Sequence, residues 1–193
     1  MDGTNWINES VDINNIVCIN EETSNSSKSL FRPHSMRTVD PDPLCRFLPA
    51  DQGEFFEEGL VVWIPFACPV KMTGLTVIGG ENGTSPRKVN LFANLPDPSS
   101  VLEVQPSQSL DLVPDDFCGA VEYPLRVTKF SQVNCLTLQF PEIREIQLSW
   151  IGIKGIASGD ARKAVVTVYE SRANLADHQE AREKSFPTSR PLQ

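Results

Sequence analysis

The chain has 193 residues, a hydrophobic fraction of 40%, and 25 acidic against 17 basic side chains, for a formal net charge of −8. That length suits one core-forming domain with short flanking segments, and the mixed composition argues against a fibrous or disordered chain. No Lys or Arg lies between Lys88 and Arg126, a span with six carboxylates, so the clustered positive charge needed by nucleic acid or an anionic membrane is missing.

Residues 1–10 read as an N-terminal tail, and Met1 to Ser10 lacks the basic and apolar segments of a secretory leader. The first 45 or so residues are polar and irregular, with a Ser/Asn-rich stretch from Ser24 to Ser29. Asp40-Pro41-Asp42-Pro43 cannot sit inside a helix or a central strand. Ile16 to Asn20 fits an edge strand. From Leu60 the pattern changes: Leu60, Val62, Ile64 and Phe66 alternate with Val61, Trp63 and Pro65, so both faces are largely apolar, as in a strand buried inside a sandwich. Pro69 ends that run. Val70 to Ile78 supplies a second strand whose alternation shifts near Gly74, as a bulge would cause. No uncharged run is longer than Gly59 to Val70, which is shorter than the roughly 20 apolar residues of a membrane-spanning helix.

Glu81-Asn82-Gly83-Thr84 predicts a tight turn, because Asn-Gly tolerates positive φ. Val89, Leu91 and Ala93 mark a third strand, and the spacing of Ser100 and Glu103 predicts one helical turn. Further short strands are predicted at Leu110–Val113, Leu125–Phe130, Leu136–Phe140, Ile146–Ile153 and Val165–Tyr169. Many short strands with turns between them, and no long amphipathic helix, predict an all-β sandwich. Its core should include Leu60, Val62, Ile64, Phe92, Leu136, Leu138 and Ile153. Residues 171–193 read as a polar, flexible tail.

Side chains with chemical potential are sparse. Cys18, Cys45, Cys68, Cys118 and Cys135 are odd in number and form no C-x-x-C pair, which suits reduced, mostly buried thiols. His34 and His178 sit in polar surroundings without ligand spacing, so no metal site is expected. Asp40, Asp42, Asp51, Glu54, Glu57 and Glu58 read as a solvated acidic loop lacking a calcium signature. Three N-x-S/T triplets, at Asn8, Asn25 and Asn82, read as chance occurrences. No nucleophile elbow, phosphate loop or dinucleotide pattern is present, and no catalytic residue or cofactor is expected. Trp6, Trp63 and Trp150 offer a sugar-stacking platform or, for the latter two, ordinary core packing. Arg87 with Lys88 and Arg126 with Lys129 are basic pairs on an otherwise acidic strand region.

Several stretches, in order, resemble the PITH domain: Cys18-Ile19-Asn20-Glu21, Pro69-Val70-Lys71, and Gly79 to Leu95 with Gly83, Pro86, Lys88-Val89 and Phe92. Pro124-Leu125-Arg126 with Lys129-Phe130, Leu136-Thr137-Leu138, and Leu148-Ser149-Trp150-Ile151-Gly152-Ile153-Lys154-Gly155 continue the match. PITH is the proteasome-interacting domain at the C-terminus of thioredoxin-like proteins. The resemblance places the domain at 11–170 and looks like that of a stand-alone member without a thioredoxin domain, whose following segment is similar to Tyr169-Glu170, Arg172-Ala173-Asn174 and Asp177-His178. It implies a jelly-roll sandwich like galactose-binding-type domains, a cytoplasmic or also nuclear location, and a link to the proteasome regulatory particle. The expected function is a monomeric, non-catalytic protein-interaction domain. Its expected partner-binding residues are Arg87, Lys88, Arg126, Lys129, Arg172 and His178. The alternative is a small-ligand or carbohydrate-binding sandwich using the loops at one end.

Overall fold

The 20-residue strand β4, Leu60–Gly79, organises the computed structural model, which describes residues 5–49, 58–114 and 116–158. The remaining strands are β1 (Asn5–Trp6), β2 (Val17–Ile19), β3 (Cys45–Phe47), β5 (Lys88–Ala93), β6 (Gln108–Asp111), β7 (Tyr123–Pro124), β8 (Val133–Phe140) and β9 (Ile146–Ala157). The first part of β4 pairs with β8 from Leu60↔Phe140 to Pro65↔Cys135, and with β2 from Val17↔Trp63 to Ile19↔Val61. The second part pairs with β9 from Val70↔Ala157 to Gly79↔Leu148, and with β7 at Gly74↔Pro124 and Leu75↔Tyr123. One strand therefore runs through both layers, β2-β4-β8-β5-β6 and β7-β4-β9 with β1 and β3 on the outer side of β9. This is a β-sandwich whose two layers share a continuous hydrogen-bonded strand. All pairings among the described residues are antiparallel.

Pro69 does not end the strand, contrary to the expectation of two separate strands. The register breaks between Pro65 and Val70, where the chain turns the corner, and a proline at an irregularity leaves no ladder donor unpaired. The shift expected near Gly74 is present, between Met72 and Gly74. Leu60, Val62 and Ile64 point into the core with Leu136, Leu138, Val89 and Leu91 from the first layer. Leu75, Val77, Ile151, Ile153, Cys45 and Phe47 meet them from the second. Phe92 is buried but faces the other way, packing with Val61, Leu95 and Val101. That satellite lies under a 3-10 turn, Pro98–Leu102, which is capped by Asp97 and begins two residues earlier than the helical turn expected at Ser100.

Leu125–Phe130 is not a strand. Leu125 and Phe130 are buried, but residues 126–129 are exposed and close a turn through Lys129 N–H to Arg126 O at 2.8 Å. Four consecutive exposed residues between two anchors is a turn pattern that apolar content alone disguises. The sixth strand lies at Gln108–Asp111, where Leu110–Val113 was expected. The expected strand Val165–Tyr169 and the tail 171–193 fall outside the described residues. The described residues belong to one compact unit, Met1–Arg162; the second unit, Lys163–Gln193, lies outside them. No helix among the described residues is long and apolar enough to cross a membrane.

The N-terminal segment is part of the fold from Asn5 onward, which corrects the expected tail over residues 1–10. β1 pairs with β9 at Asn5↔Gly155 and Trp6↔Lys154, while β3 pairs with β9 at Cys45↔Leu148 to Phe47↔Ile146. Between these two short strands the outer edge of β9 is bonded largely by side chains. Asn8 Nδ2 donates to Ile151 O at 2.8 Å, Asn8 Oδ1 accepts from Ile153 N–H at 3.0 Å, and Arg32 Nη2 donates to Ser149 O at 3.1 Å. The buried Asn8 amide is thus committed to the fold and closed to glycosylation, whereas Asn82 stays exposed in the Asn-Gly turn with φ of +56°.

Candidate functional site

β9 carries one extra residue at its start. Its core-facing residues are Ile146, Leu148, Ile151 and Ile153, a spacing that skips from 148 to 151. The register with β4 breaks at the same place, where Ile78 opposes Trp150 and Gly79 opposes Leu148. A bulge of this kind re-aims side chains. It turns Trp150 to the outer face of the second layer, where the segment 31–36 and Trp6 cover it completely.

Trp6 stacks on His34 with ring centroids 4.6 Å apart and meets Trp150 edge-on at 5.3 Å. Trp150 Nε1 donates to Arg32 O at 2.9 Å. Lys154 Nζ lies 5.0 Å from the Trp6 ring centroid and pairs with Glu122. His34 is therefore half-buried against aromatic rings, not solvated as its neighbours in sequence suggest. Burial there, with the Arg37 and Lys154 charges, lowers its pKa below the usual histidine value. Trp63 stands apart on β4, bonded through Nε1 to Leu95 O at 3.0 Å. The three tryptophans do not form one stacking platform, and Trp150 has no exposed surface.

Beside this cluster, on the same outer face, is a cleft of about 480 Å³. Its floor is the end of β4 at Ile78, Gly79 and Gly80, with Gln147 and Ser149 of β9 and Arg46 of β3. A side chain at Gly80 would meet Thr84 Oγ1 and Gln147 Cβ, so the floor stays low because the turn packs there. One wall is Arg37 to Asp40. Arg32 Nη2 holds it by donating to Val39 O at 2.6 Å. The other wall is the loop around Phe117. The buried Asp116 carboxylate shapes that loop by accepting Ala120 N–H at 2.8 Å and Val121 N–H at 2.7 Å. Gly119 takes φ of +70° against Ile78, a conformation and a contact that suit only glycine. Arg37 Nε ties the two walls together through Cys118 O at 3.0 Å.

The lining mixes charge with apolar surface. Arg37, Arg46, Asp40 and Glu81 all line it, while Phe117 is 45% and Val39 50% exposed. Among the described residues, no group of three or more His, Cys, Asp or Glu side chains is arranged to hold a metal. All five cysteines are free; Cys45 and Cys68 are buried, Cys18 and Cys135 half-buried, and Cys118 exposed. A hydrogen bond to Cys45, with burial, raises the Cys18 pKa well above the usual thiol value.

The basic pairs named from the sequence lie elsewhere. Lys88 opposes Asp111 at one end of β6, and Arg87 and Lys88 lend their backbone N–H groups to the Glu142 carboxylate. Arg126 sits at the other end of β6, where its N–H donates to Gln108 Oε1 at 2.9 Å, and Lys129 follows on the same turn. All four are exposed, but the fold separates the two pairs along β6 and does not gather them into one patch. Arg172 and His178 lie outside the described residues. The sequence reading missed Arg37, Arg46 and Phe117. Only Arg46 carried a local signal, as the polar centre of the apolar triplet Cys45-Arg46-Phe47.

The PITH domain profile matches residues 1–173. The chain is 34% identical over 176 residues to PITH domain-containing protein GA19395 of Drosophila pseudoobscura pseudoobscura, covering 88% of this chain and 79% of that one. In fold it is similar to the f-lectin (fucolectin) of Morone saxatilis, striped bass, with a TM-score of 0.52 at 8% identity over 79% of this chain and 50% of that one. It is also similar to CBM32-3 from a Clostridium perfringens family 31 glycoside hydrolase, with a TM-score of 0.50 at 9% identity over 77% and 96%. The match along the sequence and the sandwich built on β4 lead to one conclusion: the chain belongs to the PITH domain family.

Proposed function

We propose that this chain is a non-catalytic binding domain whose partner is a protein, held at the cleft between residues 37–40 and the Phe117 loop. The carrying observation is that cleft's make-up: exposed Phe117 and Val39 stand on its two walls, with Arg37 beside Val39 and Arg46 on the floor. Aromatic and arginine side chains are the residues most enriched where proteins meet. The partner implied by the family resemblance is the proteasome regulatory particle, encountered in the cytoplasm or nucleus, and both belong to this reading. The exposed pairs Arg87 with Lys88 and Arg126 with Lys129, and Arg172 with His178, are the competing surfaces. Proteasome co-purification tests the proposal, using the parent chain, Phe117→Ser with Val39→Ser, and Arg126→Glu with Lys129→Glu. Loss confined to the first variant, with unchanged thermal unfolding, supports the cleft. Equal recovery by all three, or none by the parent, overturns it.

The second reading is a small-ligand or sugar site in the same cleft. Its volume of about 480 Å³ falls within the ordinary range for small-molecule sites, and Phe117 is an exposed ring on its rim. The fucolectin and CBM32-3 likeness supplies the fold analogy for it. A glycan array separates this reading from the first: saturable binding abolished by Phe117→Ser favours it, and a blank array removes it.

A further inference from the structure

We infer that the cleft anchors a single acidic side chain of the partner polypeptide between Arg37 and Arg46, a reading that rests on the protein-binding proposal above. The two guanidiniums line one cleft, and neither is neutralised by an ion pair among the described residues. Arg144 pairs with Glu142 and Lys154 with Glu122, whereas Arg37 and Arg46 have no carboxylate within ion-pair distance among the described residues. This holds although Asp40 and Glu81 line the same cleft. Arg37 is oriented from behind, with Nε on Cys118 O and Nη1 on His34 O at 3.3 Å, which leaves its Nη2 edge available. Arg46 is half-buried on β3, and its buried Nε has no acceptor among the described residues. A buried guanidinium N–H is costly to leave unpaired, and a carboxylate is the planar acceptor that fits its fork.

The surroundings narrow the ligand further. Asp40 and Glu81 repel a second acid, so the anchor is one carboxylate with neutral or basic neighbours in its chain. Val39 and Phe117 offer apolar surface on the rim, and exposed Met36 extends it along the 34–40 segment. A free carboxylate metabolite has no use for that rim; an extended peptide with apolar residues beside its acid does.

The test uses the full chain and the capped peptide Ac-Gly-Lys-Phe-Glu-Val-Lys-Gly-NH2. Its controls are the same peptide with Gln replacing Glu, and that Gln peptide with a free C-terminal carboxylate. Binding is followed by the Nε–H resonances of Arg37 and Arg46. The expected result is saturable movement of both resonances with the Glu peptide, at least tenfold weaker binding of the capped Gln peptide, and at least tenfold loss in Arg46→Gln or Arg37→Gln. Arg46→Lys should recover part of the affinity, since it keeps the charge without the fork, and the thermal midpoint of Arg46→Gln should match the parent. Equal binding of the Glu and capped Gln peptides overturns the acidic anchor while leaving a peptide-binding cleft. Tight binding only of the free-acid Gln peptide overturns it in favour of a chain terminus. Failure of every peptide, with proteasome recovery still lost in Phe117→Ser with Val39→Ser, also overturns the anchor but not the protein-binding reading.

Discussion

The Asn8 carboxamide oxygen accepts the Ile153 N–H at 3.0 Å, inside a stretch of β9 whose outer edge has no neighbouring strand. Together with the donation from Asn8 Nδ2 to Ile151 O at 2.8 Å, one side chain does what a paired strand residue would do. It is also how a segment that reads as a tail becomes part of the domain. Edge strands expose unpaired backbone groups, and here the N-terminal segment and Arg32 occupy them.

Asn8→Ala should therefore destabilise the fold by about 2–3 kcal/mol, because it strands a buried donor and a buried acceptor. Chemical denaturation measures this directly. A midpoint equal to the parent's would mean that the segment around Asn8 is undocked in solution.

Core truncation follows from the burial on both sides of β4. Ile64→Ala and Leu138→Ala, each at a position with no exposed surface, should cost about 2–5 kcal/mol through lost transfer energy and a cavity. Reversing Arg126 and Lys129 to Glu, by contrast, should change stability by less than about 0.5 kcal/mol, because both side chains are exposed on a turn. Similar midpoints for the two classes would refute the pairing register of β4 with β8.

Gly152 is demanded by packing. A Cβ there would lie 2.1 Å from the Trp150 ring and 2.5 Å from that of Trp6. Gly152→Ala should force the two indoles apart, cost about 1–3 kcal/mol, and shift the tryptophan emission of the folded chain. An alanine variant with parental stability and spectrum would exclude the Trp6–Trp150 contact.

His34 gives a signed pH dependence. Its pKa in the fold lies below the unfolded value of about 6.5, because burial against Trp6 and the charges of Arg37 and Lys154 disfavour the imidazolium. The unfolded chain then binds the proton more readily, so stability is whole above about pH 6.5 and falls as pH drops through the folded pKa. His34→Gln should flatten that part of the profile. Denaturation midpoints at neutral and mildly acidic pH, compared between parent and variant, give the answer; parallel profiles would reject it.

Thiol reactivity should follow exposure and thiolate character. Cys118 is exposed, whereas the hydrogen bond to Cys45 and burial hold Cys18 protonated, and burial does the same for Cys135. Alkylation of the folded protein, read by mass spectrometry, should label Cys118 first and the others only on unfolding. Equal labelling of Cys18 would contradict the packing between β2 and β3.

The sandwich was legible because its strands carry their own pattern. Leu60 to Phe66 is apolar on both faces, and Leu136 and Leu138 alternate with Thr137 and Gln139, so burial in strands follows from adjacent residues. The Asn82-Gly83 turn and the shift near Gly74 were likewise local, since each depends on a few adjacent backbone angles. The cleft was not local. Arg37, Arg46, Gly80, Phe117 and Gln147 come from five separate stretches, and none has a neighbour in sequence that foretells the others. The role of Asn8 and the covering of Trp150 by Trp6 and His34 were hidden for the same reason: each joins residues more than 25 positions apart. Local sequence sets which face of a strand is apolar, but what the opposite face receives depends on which distant segments find hydrogen-bond partners there, and that is decided only when the layers close.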